Sequence, residues 1–137
     1  MSQERPVGLT QDQGWQIGVR RTFAISTHHV RHLLTTQPGL GYWLGTGVEP
    51  PFRKGMTYAT AEGTTGDIRS YSEGSLIRLR WQPPGWAFET TLQIRVQPAK
   101  TGATISFHHE RLESADQREQ MRRYWSDVLD RLAALAG

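Results

Sequence analysis

Residues 114–135 read SADQREQMRRYWSDVLDRLAAL, and the rest of the chain is organised around this stretch. Ser114 is a helix N-cap, and Gln117 three residues later completes a capping-box pattern that satisfies two otherwise orphaned backbone donors. Beyond it, Met121, Tyr124, Trp125, Val128, Leu132 and Leu135 recur at three- and four-residue steps and share one face. The opposite face carries Arg118, Glu119, Arg122, Arg123, Asp127 and Arg131, with Glu119/Arg123 and Asp127/Arg131 at the spacing that supports a solvated helix. A helix of about 22 residues is roughly 33 Å long, enough to cross a small sheet. Its dry face demands that sheet.

The preceding residues supply it. Trp15, Ile17, Val19, Arg21 and Phe23 alternate with Gln16, Gly18, Arg20 and Thr22, the pattern of a half-buried strand interrupted at Arg21. Arg21 either sits at the sheet's rim with its stem along apolar surface or enters a cavity and pairs with an acid. Ser26 or Thr27 caps a short helix whose buried stripe is Val30, Leu33 and Leu34, closed by Pro38-Gly39, with a second helical turn running to Trp43. Residues 39–51 are rich in Gly and Pro yet carry Leu40, Tyr42, Trp43 and Leu44, so this irregular segment is a candidate lid. Five runs follow, Phe52–Ala59, Thr65–Tyr71, Leu76–Trp81, Phe88–Val96 and Ala103–Leu112, separated by turn residues at the intervals of an antiparallel meander. Phe88, Thr90, Leu92, Ile94 and Val96 alternate with Glu89, Thr91, Gln93 and Arg95, and in the last run Ile105, Phe107 and His109 fall on the inward side. The order strand, short helices, meander, long helix predicts an α+β fold in which a sheet curls around the terminal helix.

At 137 residues the chain is predicted to be one domain, residues 15–137, behind a polar, frayed lead-in over 1–14. The absence of cysteine excludes disulfides and thiolate chemistry and suits a reducing cytoplasm, and no signal peptide or membrane span is visible. The net charge of +3 comes from cations interspersed with acids, a pattern of solubility rather than of nucleic-acid binding. Arg69, Arg78, Arg80 and Arg95 form a basic stripe on the wet face, balanced by Glu62, Asp67 and Glu89.

His28 and His32 lie four apart on a helix, a spacing that can share a metal, but no third ligand or cysteine completes a set, so no metal or other cofactor is expected. His108 and His109 are strand neighbours and point to opposite faces. An inward His109 is either a hydrogen-bonded core histidine, with Tyr124 a candidate partner, or a ligand or proton-transfer group. No Ser-His-Asp order, phosphate loop or paired carboxylate calls for an enzyme.

Over residues 15–135 the chain resembles a known superfamily. The segments STHHVRHLLTTQPGLGYWLG (26–45), ISFHHERL (105–112) and REQMRRYWSDVLDRL (118–132) are similar to those of the helix-grip superfamily. That superfamily includes START lipid-transfer domains, polyketide cyclases, pollen allergens and plant-hormone receptors. Within it the likeness is nearest to proteins similar to the C-terminal domain of activators of the heat-shock protein 90 ATPase. The family's tryptophan after the first helices matches Trp43, its late-strand histidine matches His109 with Leu112, and its final helix matches Trp125, Leu129 and Leu132. The resemblance implies six or seven antiparallel strands curved around the long helix, two short helices after the first strand, and a cavity between long helix and sheet. Its candidate lining is Trp43, Tyr71, Trp81, Phe88, Phe107, His109, Tyr124, Trp125 and Val128, beside Trp86, Arg78 and Arg80. Either these aromatics fill the core or they leave a pocket. The function so implied is non-enzymatic binding of a small hydrophobic or amphipathic molecule, such as a lipid, by a monomer or homodimer. The alternatives are a protein-interaction module for a chaperone partner, with Tyr42-Trp43-Leu44 as its exposed patch, and a cyclase or hydratase using a cavity histidine.

Overall fold

The computed structural model describes residues 9–10, 14–73 and 75–137. Its elements are β1 (Leu9–Thr10), β2 (Gly14–Phe23), α1 (Thr27–Thr35), α2 (Gly39–Trp43), β3 (Thr57–Ala59), β4 (Thr65–Ser72), β5 (Leu76–Trp81), β6 (Thr90–Ala99), β7 (Gly102–Leu112) and α3 (Ala115–Ala136). The strands form one curved antiparallel sheet in the order β1-β2-β7-β6-β5-β4-β3. The architecture is the expected α+β helix-grip fold, with α3 packed against β2, β7 and α2. The frayed lead-in expected over 1–14 lies largely outside the described residues; within it, Leu9–Thr10 pairs with Gly14–Trp15.

The long helix starts where its cap places it. Ser114 Oγ accepts from the Gln117 backbone N–H at 3.0 Å. The Gln117 side chain reaches one residue past the cap and accepts from the N–H of Glu113 at 2.7 Å, a variant of the reciprocal pattern. Met121, Trp125, Val128, Leu129 and Leu132 are buried along α3. Tyr124 and Leu135, expected on the same dry face, are 40% and 37% exposed. At 100° per residue both lie on the flank of the stripe away from Leu129, so they face its edge. Arg21 takes the rim position, and there it pairs at 2.6 Å with Asp130 of α3 in an exposed ion pair.

Three boundaries differ from the expectation. The run Phe52–Ala59 is strand only over Thr57–Ala59, because Gly55 adopts φ +86° and Met56 N donates to Arg53 O, closing a turn. Phe88 is not an inward strand residue: it lies in a bend before β6 and is 65% exposed. The strand parity begins only at Thr90, which pairs with Trp81, so alternation cannot be extended back through the Pro83-Pro84-Gly85 turn. Leu33 is half-buried, leaving Val30 and Leu34 as the buried residues of α1.

The expected lid, residues 39–51, is part of the core. Leu40, Trp43, Leu44, Val48 and then Phe52 are buried. Trp43 Nε1 donates to Leu34 O at 2.7 Å and so satisfies a carbonyl that the end of α1 leaves orphaned. Gly39 permits this docking, since a Cβ there would lie 1.9 Å from Leu33 O. Glu62 does not balance the basic stripe; it accepts from the backbone N–H of Thr46 at 2.7 Å and from its hydroxyl, tying the segment to the β3–β4 turn. Those bonds hold the Glu62 carboxyl below the usual carboxylate range. Among the described residues, no helix is long and apolar enough to cross a membrane.

Candidate functional site

The sheet brings Trp81, Phe107, His109, Tyr124 and Trp125 into one cluster. Phe107 stacks on Trp125 with ring centroids 4.8 Å apart, and Trp81 meets His109 edge-on at 5.0 Å and Trp125 at 5.4 Å. At its centre, Trp125 Nε1 donates to His109 Nδ1 at 3.0 Å. An indole nitrogen can only donate, so Nδ1 carries a lone pair and the imidazole proton is on Nε2. That proton meets Thr90 Oγ1 at 2.7 Å, and the Thr90 hydroxyl donates to Trp81 O at 2.6 Å. Both His109 ring nitrogens are therefore satisfied by a neutral ring. Burial above all, and secondarily the charge of His108, push its pKa down to about 3. The partners are Trp125 and Thr90, not Tyr124.

This cluster fills the space in which a cavity was expected. Trp43, Trp125 and His109 are 0% exposed, so no surface of theirs is open to a water molecule. Val128, Phe107 and Trp81 are buried with them, and half-buried Trp86 lies parallel to the His109 ring at 6.2 Å. Trp81 Nε1 is a buried N–H without a hydrogen-bond partner, enclosed by the rings of Trp86, His109, Tyr124 and Trp125. His109 is thus a fully buried core histidine with both ring nitrogens hydrogen-bonded. Trp43 stands apart from the cluster, against Phe52. Because Trp43 and Leu44 are buried, Tyr42-Trp43-Leu44 forms no exposed patch; Tyr42 is half-buried beneath the Arg131 guanidinium, 4.3 Å from its ring centroid.

Open space lies elsewhere. A cleft of about 190 Å³ runs between α1 and the strands β4–β6. Leu34, Ile77, Ile94 and Val96, all buried, make its floor, and Arg31, Tyr71 and Glu73 stand at its rim with His28 and His32. Burial first, then the Glu73 carboxylate, raise the Tyr71 hydroxyl above the ordinary phenol value, while Arg31 pulls it down. Of the nine residues expected to line a cavity, Tyr71 alone lines this cleft. The remaining lining escaped sequence reasoning because its floor reads simply as strand and helix core. His28 and His32, whose spacing in sequence suits a shared metal, stand instead at this rim; among the described residues no group of three or more His, Cys, Asp or Glu could hold a metal.

A second, wide and polar groove of about 870 Å³ crosses the outer sheet face, lined by Arg69, Arg78, Arg80, Glu89 and Arg111 beside exposed Phe88. Arg80 lies 3.8 Å from Asp67 and 3.7 Å from Glu89, and Arg69 is 3.2 Å from Asp67. Asp67 and Glu89 thus offset Arg69 and Arg80 only; Arg78 and Arg111 form no ion pair among the described residues, so the stripe is balanced in part and this face stays net basic.

Comparison with known proteins agrees with the geometry. The structure of CV1439 from Chromobacterium violaceum superposes with a TM-score of 0.71 at 22% identity, covering 88% of this chain and 96% of that one. CalU16 from Micromonospora echinospora superposes with a TM-score of 0.73 at 19% identity over 89% of this chain and 75% of that one. DynU16, a putative protein in the dynemicin biosynthetic locus, gives a TM-score of 0.76 at 14% identity over 87% of this chain, which spans 46% of that protein. No curated protein matches the sequence. At these identities the likeness is one of fold alone. The family model described as Activator of Hsp90 ATPase homolog 1-like protein matches residues 25–137, and the chain belongs to that family, within the START/Bet v 1-like superfamily.

Proposed function

We propose that residues 15–137 act as one domain that binds a small amphipathic molecule, without transforming it, in the cleft between α1 and β4–β6. The observation that carries this reading is the make-up of the cleft: a buried aliphatic floor of Leu34, Ile77, Ile94 and Val96 inside a polar rim. Apolar walls with a few polar groups at the mouth are what small-ligand sites require. Family and fold are compatible with that role. The neutral, fully bonded and sealed state of His109 favours binding over acid–base catalysis, because a general acid or base must reach its substrate. Trp43, Trp81, Phe107, His109, Trp125 and Val128 then serve as core, and Tyr71 as part of the site.

Thermal-shift screening against aliphatic and aromatic metabolites, on the wild type and on a Thr35→Trp variant that fills the cleft, tests the reading. A ligand at a hundredfold its Kd stabilises by about 2.7 kcal/mol, and that gain is expected in the wild type and lost in the variant. Stabilisation that persists undiminished in Thr35→Trp places the ligand elsewhere and refutes the proposal.

A further inference from the structure

The cleft carries a chemical preference. His28, Arg31, His32 and Thr35 are spaced at three- and four-residue steps, so α1 presents one polar stripe to it. Arg31 is half-buried and, among the described residues, has no carboxylate partner. A guanidinium partly withdrawn from water without a counter-ion is under-compensated, and its planar fork matches a carboxylate. The one acid at the rim, Glu73, is exposed beside the β4–β5 turn and forms no ion pair with Arg31. Directly beneath the rim the floor is wholly aliphatic. A neutral hydrophobic ligand would leave Arg31 unmatched, and a dianion would meet Glu73 as well as Arg31.

We infer that the cleft takes a monocarboxylate with a short apolar body, the carboxylate held by Arg31 at the rim and the body laid on Leu34, Ile77, Ile94 and Val96. This rests on the cleft being the ligand site. A volume of 190 Å³ equals about six waters at roughly 30 Å³ each, which suits a medium acyl chain or a single aromatic ring rather than a long lipid. A short-chain fatty acid and an arylalkanoic acid share this chemistry.

Methyl NMR of the full chain, titrated separately with octanoate, 3-phenylpropionate and the neutral octanamide at up to millimolar concentration, distinguishes these cases. Expected are shifts of the Leu34, Ile77, Ile94 and Val96 methyls, with at least one acid binding about tenfold tighter than octanamide; the tighter of the two acids names the acyl or the aromatic source. Arg31→Gln should weaken that acid about tenfold and leave octanamide unchanged, while Glu73→Gln, which removes a like charge, should tighten the acid. Both substitutions are at the rim, and an unchanged amide spectrum verifies the fold. Equal affinity for acid and amide, or an Arg31→Gln variant that binds the acid as the wild type does, overturns the carboxylate inference while the cleft reading stands. Absence of methyl shifts with all three compounds overturns both.

Discussion

Stability should fall steeply between pH 7.5 and pH 5 because of one residue. In the unfolded chain His109 titrates at its ordinary value of about 6.5, whereas in the fold its pKa is held down to about 3, by burial before any other cause. For a base whose folded pKa is depressed, the stabilisation is complete above the unfolded pKa and is lost as pH falls toward the folded one. At pH 5 the unfolded state has taken up the proton and the folded state has not, which costs about 2 kcal/mol relative to pH 7.5. With a urea slope of about 2 kcal/mol/M, the unfolding midpoint should drop by about 1 M. Urea unfolding at the two pH values gives the magnitude, and imidazole NMR reads His109 directly. Its proton should be on Nε2, because Trp125 donates to Nδ1, and its signals should not move between pH 7.5 and 5. A midpoint independent of pH, or a His109 that titrates near 6.5 in the folded protein, refutes the sealed-network argument.

Further expectations separate core from surface. Trp125→Phe leaves His109 Nδ1 buried without its donor and should cost about 1–3 kcal/mol beyond the lost volume, whereas Trp81→Phe removes an N–H that already lacks a partner and should cost distinctly less in the same urea assay. Phe88→Ser should change stability by under about 0.5 kcal/mol because the ring is exposed, while Phe107→Ala in the stacked core should cost about 3–5 kcal/mol. Breaking the exposed Arg21–Asp130 pair by Asp130→Ala should cost less than about 1 kcal/mol, and a double-mutant cycle in high salt should erase the coupling. Gly66→Ala should lower the melting temperature sharply, since a Cβ there would lie 1.9 Å from Arg80 O and 2.5 Å from the Tyr58 hydroxyl.

Local patterns of the chain were legible wherever one rule governed them. The Ser114 cap, the dry face of α3 around Trp125 and the inward parity of Leu92, Ile94, Ile105 and Phe107 follow from helix and strand periodicity, and all are present in the fold. Periodicity failed at the margins of elements: Phe88 kept the parity of β6 in sequence but sits beyond the strand's first rung. Tyr124 kept the helical step yet lies on the stripe's flank. Residues 39–51 misled for another reason: glycine and proline content reports backbone freedom, not whether a tertiary partner uses it, and here Leu34 O and Glu62 anchor the segment.

The fold class was written in the order and patterning of the elements, because burial of an amphipathic face is a demand that local sequence already expresses. Whether the aromatic set would enclose a void or fill it was a question of packing between residues far apart in the chain. Trp125, His109, Thr90 and Trp81 belong to three strands and one helix, and their hydrogen bonds close the space in which a cavity was expected. The cleft lies instead between α1 and β4–β6, and it sets Arg31, an ordinary helix residue in sequence, over an aliphatic floor drawn from α1, β5 and β6. Volume and unmatched charge are properties of assembled surfaces, so only the tertiary structure shows this cleft.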